Sequence, residues 1–262
     1  MVRCRVAGRG GGRVAPVKVN SSPALGRALL RLLTVQGSWN YERMQGVGFG
    51  VAEEPLLRDL PRQAYPGAVA RSAHFFNAHP YLCGLAVGAA ARAEHDGTTP
   101  DQVDRLRTAL CGPLGSVGDQ LVWAGWLPFN SGLALVLVAL GFGAWAIGGF
   151  LVLYNIGHLV LRWWALQAGW ASGLQVASAL RHPALLRAGA LVRPAMALAL
   201  GAALPLAAGY LSAPFAPWAR IVVVGVAAAG LLLLRTGRVA LNGLRFGLVT
   251  VAVALLVAWL WR

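Results

Sequence analysis

Between Gln120 and Leu161 the chain runs for 42 residues without an Asp, Glu, Lys or Arg. That is about twice the ~20 apolar residues a helix needs to cross a bilayer. Pro194–Ala219 is a second charge-free run, of 26 residues. Across all 262 residues 57% are hydrophobic and 12% charged, with a mean hydropathy of +0.60. A soluble domain carries about 25% charged residues. The chain reads as an all-α integral membrane protein, and disordered, collagen-like, coiled-coil and disulfide-stapled classes are excluded.

The net charge of +14 has the wrong distribution for a nucleic-acid interface. All nine acidic residues lie between Glu42 and Asp119; residues 1–31 hold seven bases and no acid, and residues 120–262 hold nine Arg and no acid. Bases confined to a tail and to the ends of apolar segments are what the positive-inside rule produces, so no nucleic-acid partner is expected. Cys4, Cys83 and Cys111 have no metal-ligand spacing, and neither metal nor cofactor is expected.

Residues 1–22 read as a disordered basic cytoplasmic tail without the apolar core of a signal peptide. Leu25, Leu29, Leu32 and Leu33 have helical spacing with Arg27 and Arg31 between them, which predicts an amphipathic helix over 23–36. It lies in the membrane interface or packs on its own protein. Residues 23–125 are expected to form an amphipathic and re-entrant helical region, and 126–262 a transmembrane bundle. HPYLCGLAVGAAARAE is rich in small residues, suited to close helix packing, and HDGTTPDQVDRLR predicts a loop and a helix start with Asp101 in its first turn. A span is expected over Ser131–Leu153, another helix over 154–180, a span near 195–212, and further apolar segments at Ile221–Leu234 and Phe246–Trp261, about 4–5 transmembrane helices in all. Arg counts in successive loops alternate and place the N-terminus in the cytoplasm and the C-terminus outside.

Polar groups in such a chain are costly and mark function. The densest cluster is QGSWNYERMQ (36–45). On a helix Trp39, Glu42 and Arg43 would share a face. Trp39, Asn40, Glu42 and Gln45 then offer a ring and hydrogen-bonding groups to a neutral polyol, or else form a helix end with a Glu–Arg pair. In FFNAHPY (75–81), Pro80 bends the chain, and Asn77 and His79 line a cavity or satisfy freed backbone. GPLGSVGDQ (112–120) predicts irregular backbone, a re-entrant hairpin with Asp119 near its tip. Asn155, His158 and Arg162 form a polar stripe, an interhelical hydrogen-bond seam or a substrate contact. No nucleophile–base–acid set is present, so no catalytic residues are assigned.

The segments QGSWNYERMQGVGF (36–49), HFFNAHPYLCGLAVGAAARAE (74–94) and ALCGPLGSVGDQLVW (109–123), with FLVLYNIGHLVLRWWALQAGWASGL (150–174) as a weaker fourth, resemble the IID subunit of mannose/fructose/sorbose-family phosphotransferase systems. The resemblance is close over about residues 25–180. In the family the third motif runs Gly-Asp-Pro, whereas Gln120 follows Asp119 here. The resemblance implies an inner-membrane, multi-pass subunit that pairs with IIC to form the sugar-translocating unit, an oligomer of IIC–IID pairs. Cytoplasmic IIA and IIB relay phosphate to a mannose-type hexose, and IID itself carries no phosphorylated residue. It further implies a sugar-site or interface role for Trp39, Asn40, Glu42 and Gln45, with Asn77, His79 and Asp119 as the remaining candidates. The alternative is a regulatory or scaffold membrane subunit that does not move sugar efficiently.

Overall fold

The computed structural model describes residues 24–212, with Ile221 and Gly225. The basic tail and the apolar segments at 221–234 and 246–261 therefore lie outside the described residues, apart from those two positions. The chain divides into two compact units, Met1–Ala203 and Leu204–Arg262; the account below concerns the first. Among the described residues all regular structure is helical, as expected.

Five helices build the amino-terminal part: α1 (Leu25–Leu32), α2 (Gly46–Leu57), α3 (Tyr65–Ser72), α4 (Cys83–His95) and α5 (Pro100–Gly118). Helix α1 buries Ala28 and Leu32 against the protein and leaves Leu30, and Leu33 at its C-terminal end, exposed. Its Arg31 reaches α2, pairing with Glu54 at 2.6 Å. Hydrogen bonds from Arg58, then from Tyr65 and Arg31, hold the Glu54 carboxyl well below the usual carboxylate range. Helix α5 starts where the sequence places it, with Thr99 and Gln102 forming a capping box, Pro100 in the first turn and Asp101 beside it.

Helix α4 is buried along nearly its whole length, leaving only Arg92 and Glu94 less enclosed. Its partner is α7 (Ala144–Ser172). A Cβ on Gly88 would meet the Leu166 carbonyl and the Trp170 amide at 2.5 Å, and one on Gly84 would meet the Leu166 amide at 3.0 Å. From the other side, Gly169 faces the Leu85 backbone. The two helices thus touch backbone to backbone, the packing the small residues predict.

A buried polar lattice ties α2–α5 together. Arg71 forks onto Glu94 with contacts of 2.8 and 3.0 Å. Arg107, stacked over Phe49 at 4.4 Å, donates to the carbonyls of Arg71, Ser72 and His74 at the end of α3. Glu53 lies in the same interior, and burial pushes its carboxyl up to about 8 against the lowering influence of Arg107.

Three expectations are corrected. The segment Gly112–Asp119 is not a re-entrant hairpin. Gly112 to Gly118 continue α5, and Asp119–Trp126 continue it as a π-helical stretch into α6 (Leu127–Ala139). Nothing crowds Gly112 or Gly115, so the glycines permit a turn but nothing in their surroundings forces one. The π stretch precedes Pro128, which has no N–H to give the Ala124 carbonyl, and the ladder changes register ahead of it. Asn130 covers the Trp126 carbonyl at 2.6 Å. Second, no single helix spans Ser131–Leu153. The chain turns at 140–143, where Gly141 (φ 92°) and Gly143 (φ 51°) adopt the left-handed backbone glycine allows. The charge-free run is thereby folded into a hairpin, with Trp126 against Gly157. Third, Gln36–Gln45 is a set of turns, not a helix. A 3₁₀ stretch (Gly173–Arg181) and α8 (Pro183–Ser212) follow α7. Pro100–Ala139 and Ala144–Tyr210 contain helix long and apolar enough to cross a membrane.

The polar stripe on α7 divides into separate tasks. Asn155 donates from Nδ2 to the Leu151 carbonyl one turn back on its own helix, 2.7 Å. His158 lies 4.9 Å from the Tyr81 ring. Arg162 is buried, donates to the Leu32 carbonyl at the end of α1, and sits 4.8 Å over Tyr81.

Gly88→Leu should drive α4 and α7 apart and cost about 1–3 kcal/mol or more, whereas Gly148→Ala, in open space on α7, should not destabilise; thermal unfolding in detergent compares them. Glu53 has a folded value near 8 against 4.5 for the free group, so its contribution is complete below pH 4.5 and lost as pH rises through 8. Relative to Glu53→Gln, the melting temperature should fall as pH rises from 4.5 to 8 and level off above it.

Candidate functional site

The first two polar segments are stitched together by backbone. In the turn 40–44, Asn40 Oδ1 accepts from the Glu42 and Arg43 amides (3.1 and 2.8 Å) and its Nδ2 donates to the Ser38 carbonyl. Asn40 and Met44 exchange backbone hydrogen bonds, and Met44 adopts φ 53°, rare for a residue with a side chain. The next amide, Gln45, donates to the Phe76 carbonyl at 2.9 Å, and the Phe76 amide donates to Arg43. The Gln45 side chain then reaches in to the Ala78 carbonyl at 2.8 Å. The third segment closes on these two, because Gly118 of α5 rests directly against the His79 side chain.

Where the three meet there is a cleft of about 540 Å³. Of the sequence-predicted residues, Gln45, Asn77, His79 and Asp119 line it, joined by Cys111, Ser116 and Trp123. Gln45 and His79 form its buried floor, at 3% and 2% exposure. His79 Nδ1 accepts from the Tyr81 amide at 3.2 Å, which leaves the ring proton on Nε2. Burial, and then the charge of Arg162, push the imidazole down to about 4, so it is neutral near pH 7. Two groups on this floor lack a protein partner: Gln45 Oε1, an acceptor, and His79 Nε2–H, a donor. Buried polar groups are almost always paired. Trp123 stands above them, its ring 5.1 Å from His79 and half exposed.

Trp39, Asn40 and Glu42 are not brought into the cleft. They sit on the neighbouring turn, where Trp39 packs edge-on against Tyr41 at 4.9 Å and the Glu42 side chain is 83% exposed, 3.7 Å from Arg43. The hydrogen bonds of Asn40 hold the turn, which in turn aims Gln45. Trp123 and Ser116 were not singled out from sequence. The signal was present, since helical spacing puts Ser116, Asp119 and Trp123 on one face, but it is hidden once 112–120 is read as a loop. Among the described residues no group of three or more His, Cys, Asp or Glu could hold a metal.

The family described as PTS system mannose/fructose/sorbose family IID component matches residues 21–262. The chain belongs to this family. Among relatives, this IID subunit is 30% identical over 161 residues to the mannose-specific EIID component of Escherichia coli K12, covering 56% of this chain and 54% of that one. It is 34% identical over 159 residues to the sorbose-specific EIID component of Klebsiella pneumoniae (57% of each chain), and 29% identical over 154 residues to the fructose permease IID component of Bacillus subtilis (53% of each). The matches thus span about half the length of these relatives. Its fold is similar to that of a chain in the cryo-EM structure of the mannose transporter ManYZ with microcin E492, with a TM-score of 0.54 at 24% identity over 70% of this chain and 69% of that one.

The depressed value of His79, about 4 against 6.5 for free imidazole, means that the unfolded chain takes up the proton first as pH falls. Stability should be full above pH 6.5 and decline towards pH 4. Because Glu53 contributes with the opposite sign over part of that range, the check is a difference: the melting temperature relative to His79→Gln should fall by several degrees from pH 6.5 to 4.

Proposed function

We propose that this IID subunit, with a IIC partner, forms the path by which a mannose-type hexose is bound and translocated while IIB phosphorylates it, and that the 36–45, 74–81 and 112–123 segments contribute the subunit's part of the sugar site. The observation that carries the proposal is a cleft lined by Gln45 and His79, whose Oε1 acceptor and Nε2–H donor have no protein partner, with the Trp123 ring 5.1 Å from that of His79. A sugar hydroxyl both donates and accepts, so hydroxyls suit an acceptor and a donor alike. The apolar face of a pyranose suits stacking on an indole, and Asn77, Ser116 and Asp119 at the rim offer further partners. The relatives' names (mannose, sorbose, fructose) fit a hexose. In this proposal phosphate reaches IIB from IIA in the cytoplasm. The subunit resides in the inner membrane with its N-terminus cytoplasmic and its C-terminus outside, in an oligomer of IIC–IID pairs, and holds no phosphorylated residue.

The test is phosphoenolpyruvate-dependent uptake of labelled mannose, fructose and sorbose in cells lacking their own permeases, with the IIA, IIB and IIC partners co-expressed. Trp123→Ala and the cleft-filling Ser116→Trp should each reduce uptake at least tenfold at unchanged membrane abundance, whereas Glu42→Gln, on the exposed turn, should retain it. Uptake lost in Glu42→Gln and kept in the cleft variants would move the site to the turn. No uptake of any hexose by the assembled complex would favour a regulatory subunit, for which the Trp39–Tyr41 pair, with Tyr41 86% exposed, offers a docking point.

A further inference from the structure

The charge of the cleft is as informative as its hydrogen bonds. Among the described residues Asp119 is its sole carboxylate, and no Lys or Arg lines it. The cations nearby have other tasks. Arg162 lies behind Tyr81, donating to Leu32; Arg43 faces Glu42; Arg193 donates to Gln120 at 2.8 Å. The Tyr81 amide, at the entry to α4, is spent on His79 Nδ1, and the imidazole is neutral. A phosphate monoester carries about −1.5 to −2 charges at pH 7 and is held by Arg, Lys or free helix N-terminal amides. Among the described residues the cleft supplies none of them and is lined by a carboxylate, that of Asp119.

We propose that Asp119 is a specificity-determining residue: it lets the cleft accept an uncharged hexose and exclude its phosphate ester, so that phosphorylation itself ends the sugar's stay on this subunit. The inference rests on the cleft being a sugar site. It gives the departure of product a local physical cause, the repulsion of two like charges in a site with no countercharge.

Cys111 provides a reporter, since it lines the cleft, half-buried, whereas Cys83 is fully enclosed and burial pushes its thiol up to about 12. The full chain with Cys4→Ser, assembled with its IIC partner in lipid nanodiscs, would be alkylated with N-ethylmaleimide and labelling read at Cys111 by peptide mass spectrometry. Mannose with mannose 6-phosphate, and fructose with fructose 1-phosphate, would be titrated as protectants. A free hexose should protect Cys111, and its phosphate should need at least tenfold more. Asp119→Asn should narrow that ratio to threefold or less, and Asp119→Glu should restore it. Equal protection by sugar and phosphate in the unsubstituted chain, or an unchanged ratio in Asp119→Asn, would overturn the inference while leaving the sugar site standing. No protection by either hexose would overturn the sugar site, and the inference with it.

Discussion

Helices α4 and α7 meet without side chains between them. Gly84 and Gly88 on one and Gly169 on the other bring backbone against backbone, and the first turn of α4 is also the end of the polar segment that carries His79. Tyr81 lies just ahead of α4, and His79 is held at the cleft by the Tyr81 amide and by Gly118. One turn along α7, Arg162 joins the end of α1 to the face of Tyr81. Close packing of small residues gains dispersion contacts that lipid cannot offer in competition, so the same contact that holds the fold also sets the geometry of the site.

The interior of the amino-terminal part is unusually polar for so apolar a chain. Arg107 and Glu53 are buried among α2–α5, with the Arg71–Glu94 pair part-buried beside them. Such groups contribute little net stability when paired and cost much when left alone. Their use here is positional: Arg107 gathers three carbonyls at the end of α3 and thereby fixes where the chain leaves that helix and enters residues 73–78. The turn at 40–44 works similarly, with Asn40 spending its side chain on the backbone so that Gln45 points inward.

Much of the fold could be read in advance. Helical class, the amphipathic α1, the capped start of α5 and the tight packing of α4 follow from local spacing and residue size. Four of the seven candidate site residues do share one cleft. Misreadings arose where one local signal admits two structures. Glycine with proline at 112–118 suits a loop, but an uncrowded helix tolerates both. A charge-free run of 42 residues suits one long span, yet two glycines with positive φ fold it into a hairpin. Trp39, Asn40 and Glu42 have the right chemistry for a sugar, but none of the three lines the cleft.

Composition and spacing alone determine that this is a helical membrane protein and mark the three segments that bear its polar chemistry, because hydropathy and residue type are properties of the chain itself. Which of those polar atoms remain unpaired is decided only in the folded molecule. Asn40 satisfies its own turn and Arg162 donates to the end of α1, whereas Gln45 Oε1 and His79 Nε2 are among the buried atoms left over, as are His158 Nε2 and Arg162 Nε on α7. The reason is physical: a hydrogen bond is made or withheld by distances between residues far apart in sequence, and here those distances depend on α4 lying directly on α7.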